Sequence, residues 1–282
     1  MELYYNFADI SFKVSVAEGL SVTQNGILSE FQTDPREYDY SVNISENATF
    51  PPPEGECVFS SENRIVYFKD RTEYIYIGSV SSGISGAYMY IRCFENENTV
   101  LVRGLLNSEI PQRILINSLT AVHAVCDNGG VLFHSSFIKV GKNAILFTAP
   151  SGVGKSTQAQ LWCDFEGAEL INGDRSVLYP GRACGVPYCG SSGVSKKADL
   201  PLRAIVYLSQ APADSVKRLY GVSAFRKIWE GCSVNVWNKN DVEKAVQTVS
   251  SIVSDVPVYH LSCTKQKSAV DILKRELGLE NE

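Results

Sequence analysis

Through the first hundred residues, apolar and polar positions alternate or gather into short apolar blocks. Blocks at 11–16, 64–68, 73–77, 87–94 and 99–102 carry the period of two that sends successive side chains to opposite faces of a strand. Turn-rich stretches separate them, notably Pro51, Pro52, Pro53 and Gly55, then residues 81–86. The pattern predicts a β-rich N-terminal region over residues 1–106, mainly antiparallel, and no catalytic motif or internal repeat falls within it.

The period then lengthens to that of a helix. Ile114, Leu115, Leu119, Val122 and Val125 form one apolar stripe, with Ser108 as N-cap, Pro111 in the first turn, and Gly129 and Gly130 at the end. One bridging helix is therefore predicted from about residue 109. Beyond it, strands at 131–134, 137–140, 144–148, 170–171, 176–179 and 204–209 are interspersed with helices at 156–162, 222–230, 242–254 and 266–277. Asn240 and Glu243 read as a capping box for the third of these, and Gly278 closes the last. Residues 107–282 thus form the second region of an α/β protein, either as a separate domain or as part of one continuous sheet.

At 282 residues the chain can bury a substantial core without metals or disulfides. Its net charge of −5 works against a nucleic-acid or anionic-membrane partner. No apolar run is long enough to span a bilayer, and residues 1–10 carry two acidic residues, no basic one and no long apolar core. A cytoplasmic setting is the expectation, in which Asn43 and Asn47, though they begin glycosylation sequons, are ordinary loop residues. The eight cysteines are scattered, with only Cys184 and Cys189 close together and not at a zinc-site spacing, so free thiols are expected.

The most specific signal is the run that ends a buried strand at Phe147 and continues Ser151, Gly152, Val153, Gly154, Lys155, Ser156, Thr157 into a helix. Small residues let consecutive backbone N–H groups turn toward a polyphosphate, and the helix adds its positive N-terminal end. Lys155 then stands against the outer phosphates, while the Ser156 hydroxyl is placed to ligate magnesium. ATP and Mg2+ are the implied ligands.

Phosphoryl transfer also needs a carboxylate near the loop. Asp174 follows the apolar pair Leu170 and Ile171 and the small Gly173, so it would emerge at a sheet edge near Lys155 and share the metal with Ser156. The alternative from the same residues is a plain hairpin turn over Asn172, Gly173, Asp174 and Arg175.

His134, the strand pair after it, the loop at 149–157 and the 170–175 segment occur together in an order and spacing that resembles the HPr serine kinase and phosphoenolpyruvate carboxykinase superfamily. The resemblance covers roughly residues 131–209. It implies a mixed-sheet nucleotide-binding core and a histidine, here His134, that touches the reacting phosphate or helps move a proton. It also implies a glycine-bearing loop approaching the phosphoacceptor, matched here by Gly190, Ser191, Ser192 and Gly193, with Lys196 and Lys197 following. Read by composition alone, that segment is a surface turn.

Two positions depart from the family. Ala149 stands where its loop begins with glycine, and Gly173–Asp174 stands where it carries two adjacent aspartates. With one carboxylate gone, Asp174 serves as both metal ligand and base, His134 substitutes, or the chain binds nucleotide without transferring phosphate. The leading expectation is an ATP- and magnesium-dependent kinase acting on a hydroxyl, serine above all, of a small protein or peptide, with Lys155, Asp174 and His134 as the catalytic group. Its rivals are an ATP-binding sensor or scaffold without turnover, a small-molecule carboxykinase, and a doubly wound ATPase or GTPase.

Overall fold

The computed structural model describes residues 1–23, 26–190 and 192–280. The chain packs as two compact units, Met1–Ala124 and Val125–Glu282.

The first unit holds strands β1 (Glu2–Phe7), β2 (Ile10–Val16), β3 (Ser21–Val22), β4 (Gln32–Thr33), β5 (Tyr40–Glu46), β6 (Glu56–Ser60), β7 (Arg64–Lys69), β8 (Thr72–Gly78), β9 (Ala87–Phe94), β10 (Glu97–Val102) and β11 (Glu109–Ile110). Nine of them form one sheet in the order β4-β1-β2-β5-β10-β9-β8-β7-β6. Only β2–β5 and β5–β10 pair in parallel there, so the sheet is mainly antiparallel. One face buries Phe7, Phe12 and Phe31, with Phe7 and Phe12 stacked at 5.1 Å.

Where one helix was expected from residue 109, there are two, α1 (Gln112–Ser118) and α2 (Ala121–Asp127), the first capped at Pro111 rather than Ser108. The break has a tertiary cause. Thr120 takes a left-handed φ of 44°, and Asn98 holds it there by donating to Ser118 O at 2.9 Å and Thr120 Oγ1 at 2.7 Å. The residues that the sequence pattern assigned to the second region from 107 onward pack with the first as far as Ala124.

The second unit runs β12 (Val131–His134), β13 (Ser136–Val140), β14 (Asn143–Thr148), α3 (Lys155–Glu166), β15 (Glu169–Asn172), β16 (Arg175–Tyr179), β17 (Arg182–Gly185), β18 (Asp199–Gln210), β19 (Ser215–Leu219), α4 (Gly221–Trp229), β20 (Cys232–Ser233), α5 (Lys239–Asp255), β21 (Val258–Cys263) and α6 (Lys267–Glu276). Eight strands follow the order β15-β13-β14-β18-β17-β16-β12-β20, and β21 pairs with both β18 and β19. Parallel pairing is confined to β14–β18 and β18–β21. This is a mixed sheet, not the mostly parallel one a doubly wound nucleotidase requires.

Helices cover both faces of its parallel centre. Ile145, Phe147, Val206, Leu208 and Leu261 pack on α3 and α6 through Ala159, Trp162, Ala269 and Leu273. On the other face Leu146, Ile205 and Val258 join Ala224 and Ile228 of α4 and Ala245 and Val249 of α5. Double coverage explains why β14 is apolar at every position from Ala144 to Phe147 instead of alternating. The cap of α5 is Asn238, whose side chain accepts from Asn240 N and Asp241 N, two residues before the cap expected from sequence.

Candidate active site

β14 ends at Thr148, and the chain turns through residues 149–154 into α3. Gly152 and Gly154 take φ of 80° and 126°, values that any residue with a Cβ adopts only under strain, so both glycines are needed for the turn itself. Ala149 keeps φ negative, which is why alanine fits there. Among the described residues, the amides of Ser151, Gly152 and Gly154 have no backbone acceptor. The N-cap Gly154 supplies no side-chain bond to the first turn of α3. The result is a ring of donors with a positive helix end behind it, held at its crest where Gln210 Nε2 donates to Val153 O at 3.1 Å.

Lys155 is buried and folds back over this ring, donating from Nζ to Ala149 O at 3.0 Å. Burial pushes its amine below the ordinary lysine value, and the charge of Asp174 partly offsets that. Lysine and carboxylate therefore lie within electrostatic reach of each other. Ser156 is exposed at the start of α3.

Asp174 sits in the turn between β15 and β16. His134 Nε2 is 3.4 Å from its Oδ1, and Arg175 Nε is 3.5 Å from its Oδ2. The His134 contact, then the charges of Arg175, His134 and Lys155, hold the carboxyl below the usual aspartate range against its partial burial. The turn and metal-ligand readings of residues 172–175 are thus not exclusive, because the turn is what presents the carboxylate. Fully buried Asn172 builds it, accepting at Oδ1 from the amides of Asp174 and Arg175, both at 2.9 Å, and donating from Nδ2 to Val186 O at 3.0 Å and Tyr188 O at 2.7 Å.

His134 is positioned from three sides. Its amide donates to Gly231 O at 2.8 Å, its carbonyl accepts from Thr148 Oγ1 at 2.9 Å, and Ser135 N donates to Asp174 O at 3.0 Å. Gly231 must lack a side chain because a Cβ there would stand 2.6 Å from the Phe133 ring and 2.8 Å from Thr148 Oγ1. Arg175 is fixed by donating from Nη1 to Ser233 Oγ at 2.6 Å. Asn172, Thr148, Gly231 and Ser233 have supporting roles that the sequence pattern did not reveal; the one available signal was the strong turn propensity of Asn172 and Gly173.

The glycine-bearing loop lies against this turn. A Cβ on Gly190 would stand 3.1 Å from the Asp174 carboxyl carbon, and a Cβ on Gly173 would collide with the Ser192 side chain. Ser192 and Gly193 are exposed, and Ser191 lies outside the described residues. Anchors at both ends hold the segment: Ser195 Oγ donates to Val186 O at 2.5 Å, and Lys196 N to Ile171 O at 2.9 Å. Lys196 is engaged away from the donor ring, its Nζ paired with Glu169 at 2.7 Å.

Ser192 thus occupies the space that a side chain at residue 173 would need. Gly173→Asp is expected to cost about 1–3 kcal/mol of stability by overpacking. Adding Ser192→Gly should recover most of it, and urea unfolding of the single and double variants checks both.

No family model matches this chain, and no curated protein matches it. Among solved structures, the HPr(Ser) kinase/phosphatase of Coxiella burnetii is similar over 53% of this chain and 97% of its own, at 13% identity and a TM-score of 0.29. So loose an overlap carries no argument. The site rests on its own geometry: Lys155, Asp174 and His134 come together, with Gly190 and Ser192 beside them. None of the eight cysteines is in a disulfide, and among the described residues no helix is long and apolar enough to cross a membrane.

Proposed function

We propose that the second unit is an ATP- and magnesium-dependent phosphotransferase with a core of the HPr kinase type, acting on a serine hydroxyl of a small protein or peptide in the cytosol. The observation that carries this reading is the meeting of a glycine-shaped donor ring, its buried Lys155, and the Asp174–His134 pair. A ring of amides with a lysine is a polyphosphate cradle, and a carboxylate beside it turns a cradle into a transfer site.

The roles follow from the chemistry of each group. Loop amides and Lys155 hold the phosphates. The Ser156 hydroxyl and the Asp174 carboxylate are hard oxygen donors of the kind magnesium prefers, and the bound cation would neutralise charge on the outer phosphates. The bond from the γ-phosphorus to the bridging oxygen breaks, the serine oxygen takes its place, ADP leaves, and the serine proton passes to Asp174 or His134. A carboxylate held below its ordinary range is a weak proton acceptor but a firm cation ligand. That division favours His134, 3.4 Å away, as the group that takes the proton from the pair.

One observation favours a second reading. With Ser192 packed over Gly173, a second carboxylate at that position would have to displace it, and a nucleotide sensor that binds ATP without turnover has no need of one. Incubation with γ-labelled ATP, magnesium and a panel of serine peptides separates the two. Label on serine, absent with EDTA, is the expected result, and tight ATP binding with no label or ADP on any peptide would leave the sensor.

A further inference from the structure

The sheet face under α4 and α5 is apolar through Leu146, Ile205 and Val258, then changes character where the strands run on past those residues. In register across four strands come Thr148, Tyr207, His260 and Lys217, and one pair further Ser209, Ser262 and Ser215. Alternation places all seven on that same face. Tyr207, Ser209, His260 and Ser262 are half-buried and Ser215 and Lys217 are exposed, while Thr148 is buried and marks the inner end beneath the accessible part of the ledge.

The members are mutually organised. Ser209 Oγ lies 2.8 Å from His260 Nε2 and 3.1 Å from Ser262 Oγ. The Tyr207 and His260 rings meet edge to face at 5.5 Å, and Lys227 of α4 places its ammonium 4.1 Å above Tyr207. Both Lys217 and Lys227, after partial burial, hold the His260 imidazole below its ordinary proton affinity, which places two cations around it. Lys227 is also paired with Glu230 at 2.9 Å, whereas Lys217 has no ion pair among the described residues. In a chain of net charge −5, this is a local ledge of cations, hydroxyls, one phenol ring and one imidazole, with no carboxylate in either row.

The ledge is continuous with the candidate site. Its first member, Thr148, donates to the His134 carbonyl and is the last residue of the strand that feeds the phosphate loop. We propose that the ledge docks an acidic segment of the phosphoacceptor, a step that rests on the kinase reading for its meaning but not for its binding chemistry. Thr148 and Lys217 are three strand spacings apart, about 14 Å, which an extended peptide covers in about four residues. The geometry therefore calls for Asp or Glu side chains about four positions from the serine that is phosphorylated. Lys217 and Lys227 meet the carboxylates, and the serine hydroxyls and Tyr207 accommodate the backbone between.

The probe is a fluorescent ten-residue peptide with one serine and glutamates three to six positions after it, titrated by anisotropy without nucleotide. Lys217→Glu, at an exposed site, and Lys217→Glu with Lys227→Glu are compared with the wild type. Saturable binding that weakens about tenfold or more in the double variant, and that a lysine-for-glutamate peptide restores, is the expected result. Lys155→Ala should bind the peptide as the wild type does. Equal affinity of wild type and both variants would overturn the proposal, as would tighter binding of single-stranded RNA or of phosphatidylserine vesicles than of the acidic peptide. Peptide binding without any phosphoryl transfer would refute the kinase reading and leave the ledge standing.

Discussion

Replacing Asp174 with asparagine is expected to lower phosphoryl transfer by about 100- to 1000-fold, the range for removing one group that stabilises charge in the transition state. The amide keeps the size of the side chain but removes the charge that His134, Arg175 and Lys155 surround. Turnover should fall far more than ATP affinity measured without metal, because the groups proposed to hold the phosphates are the loop amides and Lys155. Magnesium dependence of ATP binding should flatten, since one of two proposed oxygen ligands is lost. The sign for stability runs with pH. A carboxyl whose folded value is depressed contributes stability above the unfolded value of about 3.9, and this is lost as pH falls through the folded value. Asp174→Asn should accordingly narrow the difference in stability between pH 7 and pH 3. Unchanged turnover in this variant would remove Asp174 from the chemistry.

Lys155→Met is expected to weaken ATP binding and to cut turnover about 100- to 1000-fold, as when one preorganised donor is taken from a buried oxyanion site. Methionine keeps most of the length and apolar body of the buried lysine without the charge, so the fold should persist. A proton count separates this from a packing defect. Burial depresses the Lys155 amine in the free protein, and a bound polyphosphate would raise it again. ATP binding at alkaline pH should therefore take up protons, seen as a binding enthalpy that varies with the ionisation enthalpy of the buffer. The uptake should vanish in Lys155→Met; its persistence would place the proton elsewhere.

Much of this site was legible in the sequence because its parts are local. A strand apolar from Ala144 to Phe147, followed by small residues at the positions that need positive φ and then by a helix, reads from the fourteen consecutive residues 144–157. Asp174 was legible for the same reason, at the end of a short apolar strand. The parts that were not legible depend on residues far apart in the chain. Ser192 against Gly173, Thr148 under the His134 carbonyl and Asn98 breaking a helix at Thr120 are tertiary contacts, with nothing in the periodicity to announce them. Among the strands, β19 escaped notice because Lys217 and Arg218 interrupt its apolar positions, as suits a strand paired on one side only. β21 follows Pro257 directly and is half polar because it carries the ledge at His260 and Ser262.

The proposed function requires the turn at residues 149–157 to hold a triphosphate, with a cation shared by Ser156 and Asp174. A crystal structure with magnesium and a non-hydrolysable ATP analogue tests it most directly. Phosphate oxygens are expected on the amides of residues 152–156 and the Lys155 ammonium, with the ion bound by Ser156 Oγ and an Asp174 oxygen directly or through one water. An analogue seated elsewhere, or an ion with neither side chain in its coordination sphere, would contradict it.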